Sequence, residues 1–344
     1  MRPAKIFDQK TGETKSAHAL KERLGLRHLV GESPVFIAEI KKIVPIAQCD
    51  ATVLICGETG TGKELYARAI HYLSGRGSKP FIPMNCGAIP VELVENELFG
   101  HERGAYTSAA TAQPGVIQEC NGGTLFLDEI VCLPLLAQTK LLRFLQEKEY
   151  KPLGSAKVCK ADLRLIAATN IDGEAAIKEG KLRQDLYYRL NVIPITLPPL
   201  RERGGDIPLL ARHFLAKYAG KFHKRVEGFS SAAITKLMLY AWPGNIRELE
   251  HVVERTVVFA EDKIIGDAEI LLPGTAKAGE SLQKAKSKVV AQFERTYLQS
   301  LLAAHRGNIT RAAEAAQKNR RAFWQLIRKY QIDVAAYRTS PANF

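Results

Sequence analysis

The sequence has no apolar run approaching the roughly 20 residues that a bilayer-spanning helix needs, and its opening stretch MRPAKIFDQKTGETKS has no apolar core of a secretory signal. A cytoplasmic chain that crosses no membrane is expected. Its six cysteines, Cys49, Cys56, Cys86, Cys120, Cys132 and Cys159, never fall at CxxC spacing, which argues against a zinc site and a disulfide framework. They read as reduced, mostly buried small hydrophobes. There is no internal repeat. Hydrophobic residues at 46% and charged residues at 25% are the usage of a globular protein and exclude wholesale disorder. At 344 residues the chain suits two or three domains, because single cores stop growing at about 250 to 300 residues.

Net charge is also missing from the middle of the chain. Residues 1–28 carry seven Lys/Arg against three Asp/Glu and residues 277–344 carry thirteen against four, whereas the 248 residues between them carry 29 of each. The whole formal charge of +13 therefore lies at the two ends. A neutral body with a basic C-terminal module points to a polyanion, most simply DNA, bound through phosphate neutralisation and counterion release. A solvated basic face that only aids solubility would carry the same charge.

Residues 1–28 are polar with weak periodicity, apart from an amphipathic stretch from Ala17 to Leu26, and read as a flexible basic leader. From 29 to 200, the apolar runs VLIC (53–56), PFIPMN (80–85), TLFLDE (124–129) and LRLIAATN (163–170) alternate with helical patterns. That alternation predicts an α/β subdomain, a parallel sheet with helices on both faces. After LPPL at 197–200 the runs stop, and residues 201–272 read as an all-helical subdomain. The small and breaker residues of PGTAKAGE mark a linker at 273–280. Residues 281–344 then read as a long helix from Ser281 to about His305 and two short ones.

VLIC runs into Gly57-Glu58-Thr59-Gly60-Thr61-Gly62-Lys63-Glu64 and then into a helical pattern through Leu73. Strand, glycine-rich loop, Gly-Lys and helix form a P-loop arrangement. Glycines let backbone N–H groups approach phosphates, the helix N-terminus favours negative charge, and Lys63 reaches the β- and γ-phosphates. Glu64 stands where a Ser or Thr hydroxyl would ligate magnesium, so its carboxylate or a water must serve. Leu125-Phe126-Leu127-Asp128-Glu129 ends a second buried strand in two acids. In P-loop ATPases such an Asp holds magnesium and such a Glu polarises the attacking water. Buried strands do not end in two carboxylates merely to pack, because unpaired charge is costly to bury. The run LRLIAATN ends in Thr169-Asn170, which can place an amide beside the γ-phosphate. ATP and Mg are the cofactors expected.

Together these residues resemble the AAA+ family of bacterial enhancer-binding proteins, the sigma-54-dependent transcription activators. Seven ordered motifs carry the resemblance: GETGTGKE at 57–64, FIPMNC at 81–86, ELFGHERGAYTSA at 97–109, GGTLFLDE at 122–129, LRQDLYYRLNV at 182–192, LPPLRER at 197–203 and WPGNIREL at 242–249. It runs from about His28 to Pro273 and, less tightly, to Ile332. It implies an AAA+ P-loop parallel sheet (29–200) with a helical lid subdomain (201–272), in a homo-oligomer, commonly a hexameric ring built from dimers. It also implies roles. Lys63 and Asp128 would bind the phosphates and magnesium, Glu129 would activate water, and Asn85 would restrain Glu129 until the partner engages. Asn170 would be sensor I and Arg247 sensor II, while Leu29, Val30 and Gly31 would line the adenine pocket. Arg183 and Arg189 would reach into the neighbouring subunit's site, where a guanidinium suits a γ-phosphoryl transition state that spreads charge over its oxygens. Surface arginines paired with Glu179 or Asp185 would look the same in sequence.

Gly104-Ala105-Tyr106-Thr107-Ser108-Ala109 stands where the family carries GAFTGA, the loop that grips sigma-54. Tyr106 keeps the aromatic ring, but Ser108 replaces a glycine and resists φ > 0. A tolerated variant and a remodelled sigma-54 contact both fit. Residues 281–344 resemble the family's Fis-like helix-turn-helix. Ile309, Ala312, Ala313 and Ala316 form an i, i+3, i+4, i+7 stripe, Asn319 is a good N-cap, and Arg320 to Tyr330 would be the recognition helix with Phe323, Ile327 and Tyr330 inward. Arg320, Arg321, Gln325, Arg328 and Lys329 are left for the phosphates and base edges of enhancer DNA. Gln317 and Lys318 stand where a glycine and an apolar residue are usual, and a helical dimerisation tail would share the pattern.

Three functions remain open on sequence. One is an ATP-hydrolysing activator that remodels sigma-54 RNA polymerase from an enhancer. Another is a DNA-binding regulator of the same descent that no longer engages sigma-54, and the third is an AAA+ remodeller of another protein. Residues 1–28 cannot house the family's receiver or sensor domain, so control by a separate regulatory protein, or a shortened chain, is expected.

Overall fold

A computed structural model describes residues 29–105, 111–272 and, with short gaps, 297–334. The chain divides into two compact units between Leu271 and Leu272. The first opens with α1 (Pro34–Ala47), β1 (Val53–Cys56), α2 (Lys63–Tyr72), β2 (Phe81–Asn85) and α3 (Val91–Phe99). It continues with β3 (Thr124–Asp128), α4 (Leu135–Glu147), β4 (Arg164–Thr169), α5 (Gln184–Leu190) and β5 (Ile193–Thr196). The strands form one parallel sheet in the order β2-β3-β4-β1-β5.

Each face of that sheet is covered, so the central strands are apolar throughout rather than alternating. Phe126 and Ile166 pack with Ile43, Tyr66 and Ile70 on one face, while Leu125 and Leu127 pack with Leu98, Leu141 and Phe144 on the other. Proline, which cannot donate to a ladder, occurs at Pro83 and Pro194 on the two edge strands. Cys56 is level with Thr169 and Asn85 with Asp128, so the loops after four strands open at one end of the sheet. That end is where open parallel sheets bind ligands.

The lid follows as α6 (Asp206–Phe222), α7 (Ser231–Leu239) and α8 (Asn245–Phe259). It is not all-helical as expected. Gly228–Phe229 pairs in parallel with Ile264–Ile265, two runs too short to register against the helical period around them. The cysteines also depart from expectation. All six are free, but only Cys86 and Cys120 are buried, and Cys49 and Cys132 are exposed in the turns after α1 and after Glu129. No described helix is long and apolar enough to cross a membrane.

In the second unit, α9 (Ile309–Ala315) and α10 (Arg320–Lys329) pack Ala312, Ala313, Phe323 and Ile327 with Leu298, Leu302 and Ile332. The Asn319 side chain caps α10 by accepting from the Ala322 N–H at 2.7 Å. Tyr330 is only partly buried. The leader 1–28, the linker 273–280, Gln317 and most of the helix expected over 281–305 lie outside the described residues.

Sheet and lid are joined by a buried ion pair. Arg203 Nε donates to Asp206 Oδ2 at 2.9 Å, with their side chains 1% and 0% exposed. Asp206 also accepts from Glu32 N–H at 2.6 Å, Ser33 N–H at 2.8 Å and the Ser33 hydroxyl at 2.8 Å. Arg203 Nη2 donates to Val30 O at 3.0 Å, and its guanidinium lies 3.6 Å from the Phe36 ring centroid. Burial alone would raise the Asp206 carboxyl, but the Glu32 N–H and Arg203 hold it below its ordinary value.

Asp206→Asn should lower the free energy of unfolding by about 3 to 5 kcal/mol, because Arg203 is left buried without its counter-charge. Chemical denaturation measures this, and a loss below about 1 kcal/mol would rank the pair with solvent-exposed ones. Since the folded carboxyl is depressed, the wild-type contribution is complete above the unfolded carboxyl value of about 3.9 and fades as pH falls below it. The Asn variant should lack that acid-side loss.

Candidate nucleotide-binding site

The loop after β1 has the shape its glycines permit. Gly60 (φ +81°) and Gly62 (φ +98°) are left-handed, and a Cβ on Gly60 would collide with the carbonyl of Gly244 at the start of the lid helix. Gly62 caps α2, which begins at Lys63. Lys63 is buried, with Nζ donating to Gly57 O at 2.8 Å and Glu58 O at 3.1 Å, while Thr61 Oγ1 donates to Glu58 O at 2.8 Å. Burial draws the Lys63 ammonium below its ordinary pKa against the opposing pull of Asp128 and Glu129. Glu64 points its carboxylate at Arg68, 2.7 Å away one turn on.

Asp128 and Glu129 end β3 beside Lys63. Glu129 is left-handed (φ +54°), a strained conformation for this residue type, and its N–H donates to Asp128 Oδ1 at 3.0 Å. Its carboxylate crowds the space above Gly87 together with Asn85 Oδ1 and Cys132 Sγ. Asn85 Oδ1 accepts from the N–H groups of Gly87 at 2.8 Å and Ala88 at 3.2 Å. Asn170, just past β4, donates to Thr59 Oγ1 at 3.3 Å, and the Arg247 Cβ lies against Gly60. Lys63, Asn85, Asp128, Glu129, Asn170 and Arg247 are thus gathered at one end of the sheet. Among the described residues no three His, Cys, Asp or Glu side chains gather as a metal cluster. Magnesium needs none, because it is held by one or two carboxylates with substrate phosphates, and Asp128 fits that part.

Beside the loop lies a cavity of about 230 Å³ lined by Leu29, Val30, Phe36, Leu210, Phe214 and Ile246 among others. Gly31 stands behind it, against Arg203 and Asp206. Two residues that tie the loop to the lid were not anticipated. Asn245 Nδ2 donates to Glu58 Oε2 at 3.1 Å, and Arg201 donates to the same carboxylate through Nη1 at 2.8 Å and Nη2 at 2.6 Å. Arg201 holds the Glu58 carboxyl below its ordinary value. WPGN ahead of a helix was the available signal, but nothing local showed what its Asn would touch.

Arg183 is paired with Asp185 at 2.7 Å, Glu179 pairs with Lys181 instead, and Arg189 Nη2 donates to Leu145 O at 3.1 Å. Both arginines are exposed, and such surface pairs are weak enough to exchange partners. Gly104 and Ala105 follow a hairpin step in which Gly100–His101 pairs antiparallel with Gln113–Pro114. Tyr106, Thr107, Ser108 and Ala109 lie outside the described residues. In the second unit Arg320, Arg321, Gln325, Arg328 and Lys329 are exposed along α10. Trp324, 45% exposed, joins them with Arg328 stacked 4.8 Å from its ring.

Residues 29–196 match the sigma-54 interaction domain and residues 201–288 the AAA+ ATPase lid domain. The transcriptional regulatory protein GlrR of Escherichia coli K12 is 45% identical over 307 residues, covering 89% of this chain and 68% of that protein. The regulatory protein AtoC of the same organism is 43% identical over 316 residues, covering 90% and 68%. Among solved structures, NtrX from Brucella abortus in complex with ADP is similar at 31% identity and a TM-score of 0.68, covering 92% of this chain and 73% of that one. The same protein in complex with ATP is similar at 30% identity and a TM-score of 0.68, with the same coverage.

Proposed function

The chain belongs to the AAA+ family of sigma-54-dependent transcriptional regulators, and on that premise we propose that it hydrolyses ATP to remodel sigma-54 RNA polymerase from enhancer DNA. The observation that carries the proposal is the gathering of Lys63, Asp128, Glu129, Asn170 and Arg247 at one end of the sheet, beside an apolar cavity. The similar NtrX structures, solved in complex with ADP and with ATP, support an adenine nucleotide as the ligand.

In this reading Leu29 and Val30 take the adenine, the Gly57–Glu64 loop cradles the phosphates, and Lys63 neutralises the β- and γ-phosphates. Asp128 would hold magnesium, which would supply charge neutralisation on the transferred phosphoryl group. Glu129 orients and deprotonates the attacking water, Asn85 restrains it, Asn170 senses the γ-phosphate, and Arg247 does so from the lid. Arg183 and Arg189 act on the site of a neighbouring copy in a ring, commonly a hexamer, and leave their local partners to do so.

Two outputs are assigned to the remaining elements. Gly104 to Ala109 contacts sigma-54; Ser108 is the one observation that favours a regulator that has left sigma-54. The unit beyond the 273–280 linker is a helix-turn-helix, with α10 as recognition helix and Arg320, Arg321, Gln325, Arg328 and Lys329 on DNA. Its support is the charge of residues 277–344 together with the Asn319 cap and buried Phe323 and Ile327.

Lys63→Ala should abolish nucleotide binding, whereas Glu129→Ala should bind ATP yet turn it over at least about a hundredfold more slowly. Equal loss of binding in both variants would contradict the division of roles. Arg189→Ala mixed with Lys63→Ala should recover some turnover, because an intact P-loop can then face an intact arginine. Mixed rings that form and remain inactive at every ratio would remove the arginine from the neighbour's site.

A further inference from the structure

The first turn of the lid helix α8 holds three consecutive P-loop residues. Asn245 Nδ2 donates to Glu58 Oε2 at 3.1 Å and to Thr59 O at 3.0 Å, and Ile246 N–H donates to Gly60 O at 3.0 Å. The other end of the same amide, Oδ1, accepts from Leu200 N–H at 2.8 Å, where the sheet domain passes into the lid. Asn245 is wholly buried and left-handed (φ +54°), a conformation that asparagine tolerates better than most residues with a side chain. One buried amide therefore ties together the loop, the lid helix and the segment that joins them.

A trans peptide holds its C=O and N–H on opposite sides. Anchoring Thr59 O to Asn245 thus turns the Gly60 N–H away from the lid helix, and that N–H has no acceptor among the described residues. Backbone N–H groups of a P-loop cradle the phosphates that ADP and ATP share. We propose that Asn245 is a positioning residue for nucleotide binding, which fixes the Thr59–Gly60 peptide so that Gly60 N–H faces the phosphates and makes that grip depend on a docked lid helix. This rests on reading the P-loop as the ATP site. It differs from the part given to Arg247, two residues further along α8, which concerns the γ-phosphate alone.

Two substitutions separate the amide's two jobs. Asn245→Gly keeps the left-handed backbone open and removes both. Asn245→Asp keeps the size and the acceptor for Leu200 N–H, but its ionised carboxylate donates to neither Thr59 O nor Glu58, against which it adds a repulsion that Asn245→Gly lacks. Binding of ADP and of a non-hydrolysable ATP analogue to the full chain is measured by calorimetry. Both variants should lose about tenfold in affinity for each nucleotide, the scale of a lost buried hydrogen bond, with the ratio between the nucleotides unchanged. Arg201→Ala, which leaves the bond to Thr59 intact, should lose less than about threefold. If the Gly variant does not fold, the Asp variant carries the test. An Asp variant that binds ADP like wild type would overturn the inference, as would loss of the ATP analogue alone in either Asn245 variant. Loss in Arg201→Ala as large as in those variants would also overturn it. Wild-type protein that binds neither nucleotide would instead remove the ATP-site reading, and this inference with it.

Discussion

The buried pair of Arg203 and Asp206 is the constraint on which the first unit depends. Two opposite charges with side chains 1% and 0% exposed are tolerable only because every face of the pair is used: Glu32, Ser33 and Val30 complete the hydrogen bonding and Phe36 covers the guanidinium. The result is geometric. Residues 29–33, which enter the sheet domain, are fastened to the first turn of the lid, so the apolar cavity beside the P-loop draws its walls from both. A second fastening at Asn245 closes the other side. Between the two, a nucleotide in that cavity would touch parts whose relative position is set by buried polar contacts rather than by loose apolar packing.

Asn85 lies level with Asp128 in the sheet, and the chain continues from it through α3 to the hairpin step at Gly100 and on to Gly104. Leu153 bonds to that step from a separate loop, donating to Gly100 O at 2.8 Å and accepting from Glu102 N–H at 3.0 Å. Glu129, held in a strained backbone and crowded against Gly87 with Asn85, thus lies in contact with the stretch of chain that leads to the segment proposed to contact sigma-54.

What the amino-acid sequence made legible was local. Gly57 to Glu64 could be read because strand, glycines, lysine and helix follow one another directly, and Asp128-Glu129 because two acids ending an apolar run have no packing explanation. Asn319 and the Ala312/Ala313 stripe were legible for the same reason, since a cap and a helical period need only their neighbours. Asp206 could not be read, because its partners Glu32 and Ser33 lie 174 and 173 residues away. Asn245 was hidden likewise, 187 residues from Glu58. The parallel pair at Gly228–Phe229 was too short to show a period, and the exposure of Cys49 and Cys132 was decided by turns that composition does not specify.

The proposed function requires that nucleotide turnover at this site be delivered to sigma-54. Single-round transcription from a sigma-54-dependent promoter, with sigma-54 RNA polymerase and this chain as the only activator, measures that delivery. Transcript should form with ATP and be absent with a non-hydrolysable analogue. A chain that hydrolyses ATP under the same conditions yet yields no transcript would contradict delivery to sigma-54, and Ser108 would then mark a loop that has left sigma-54.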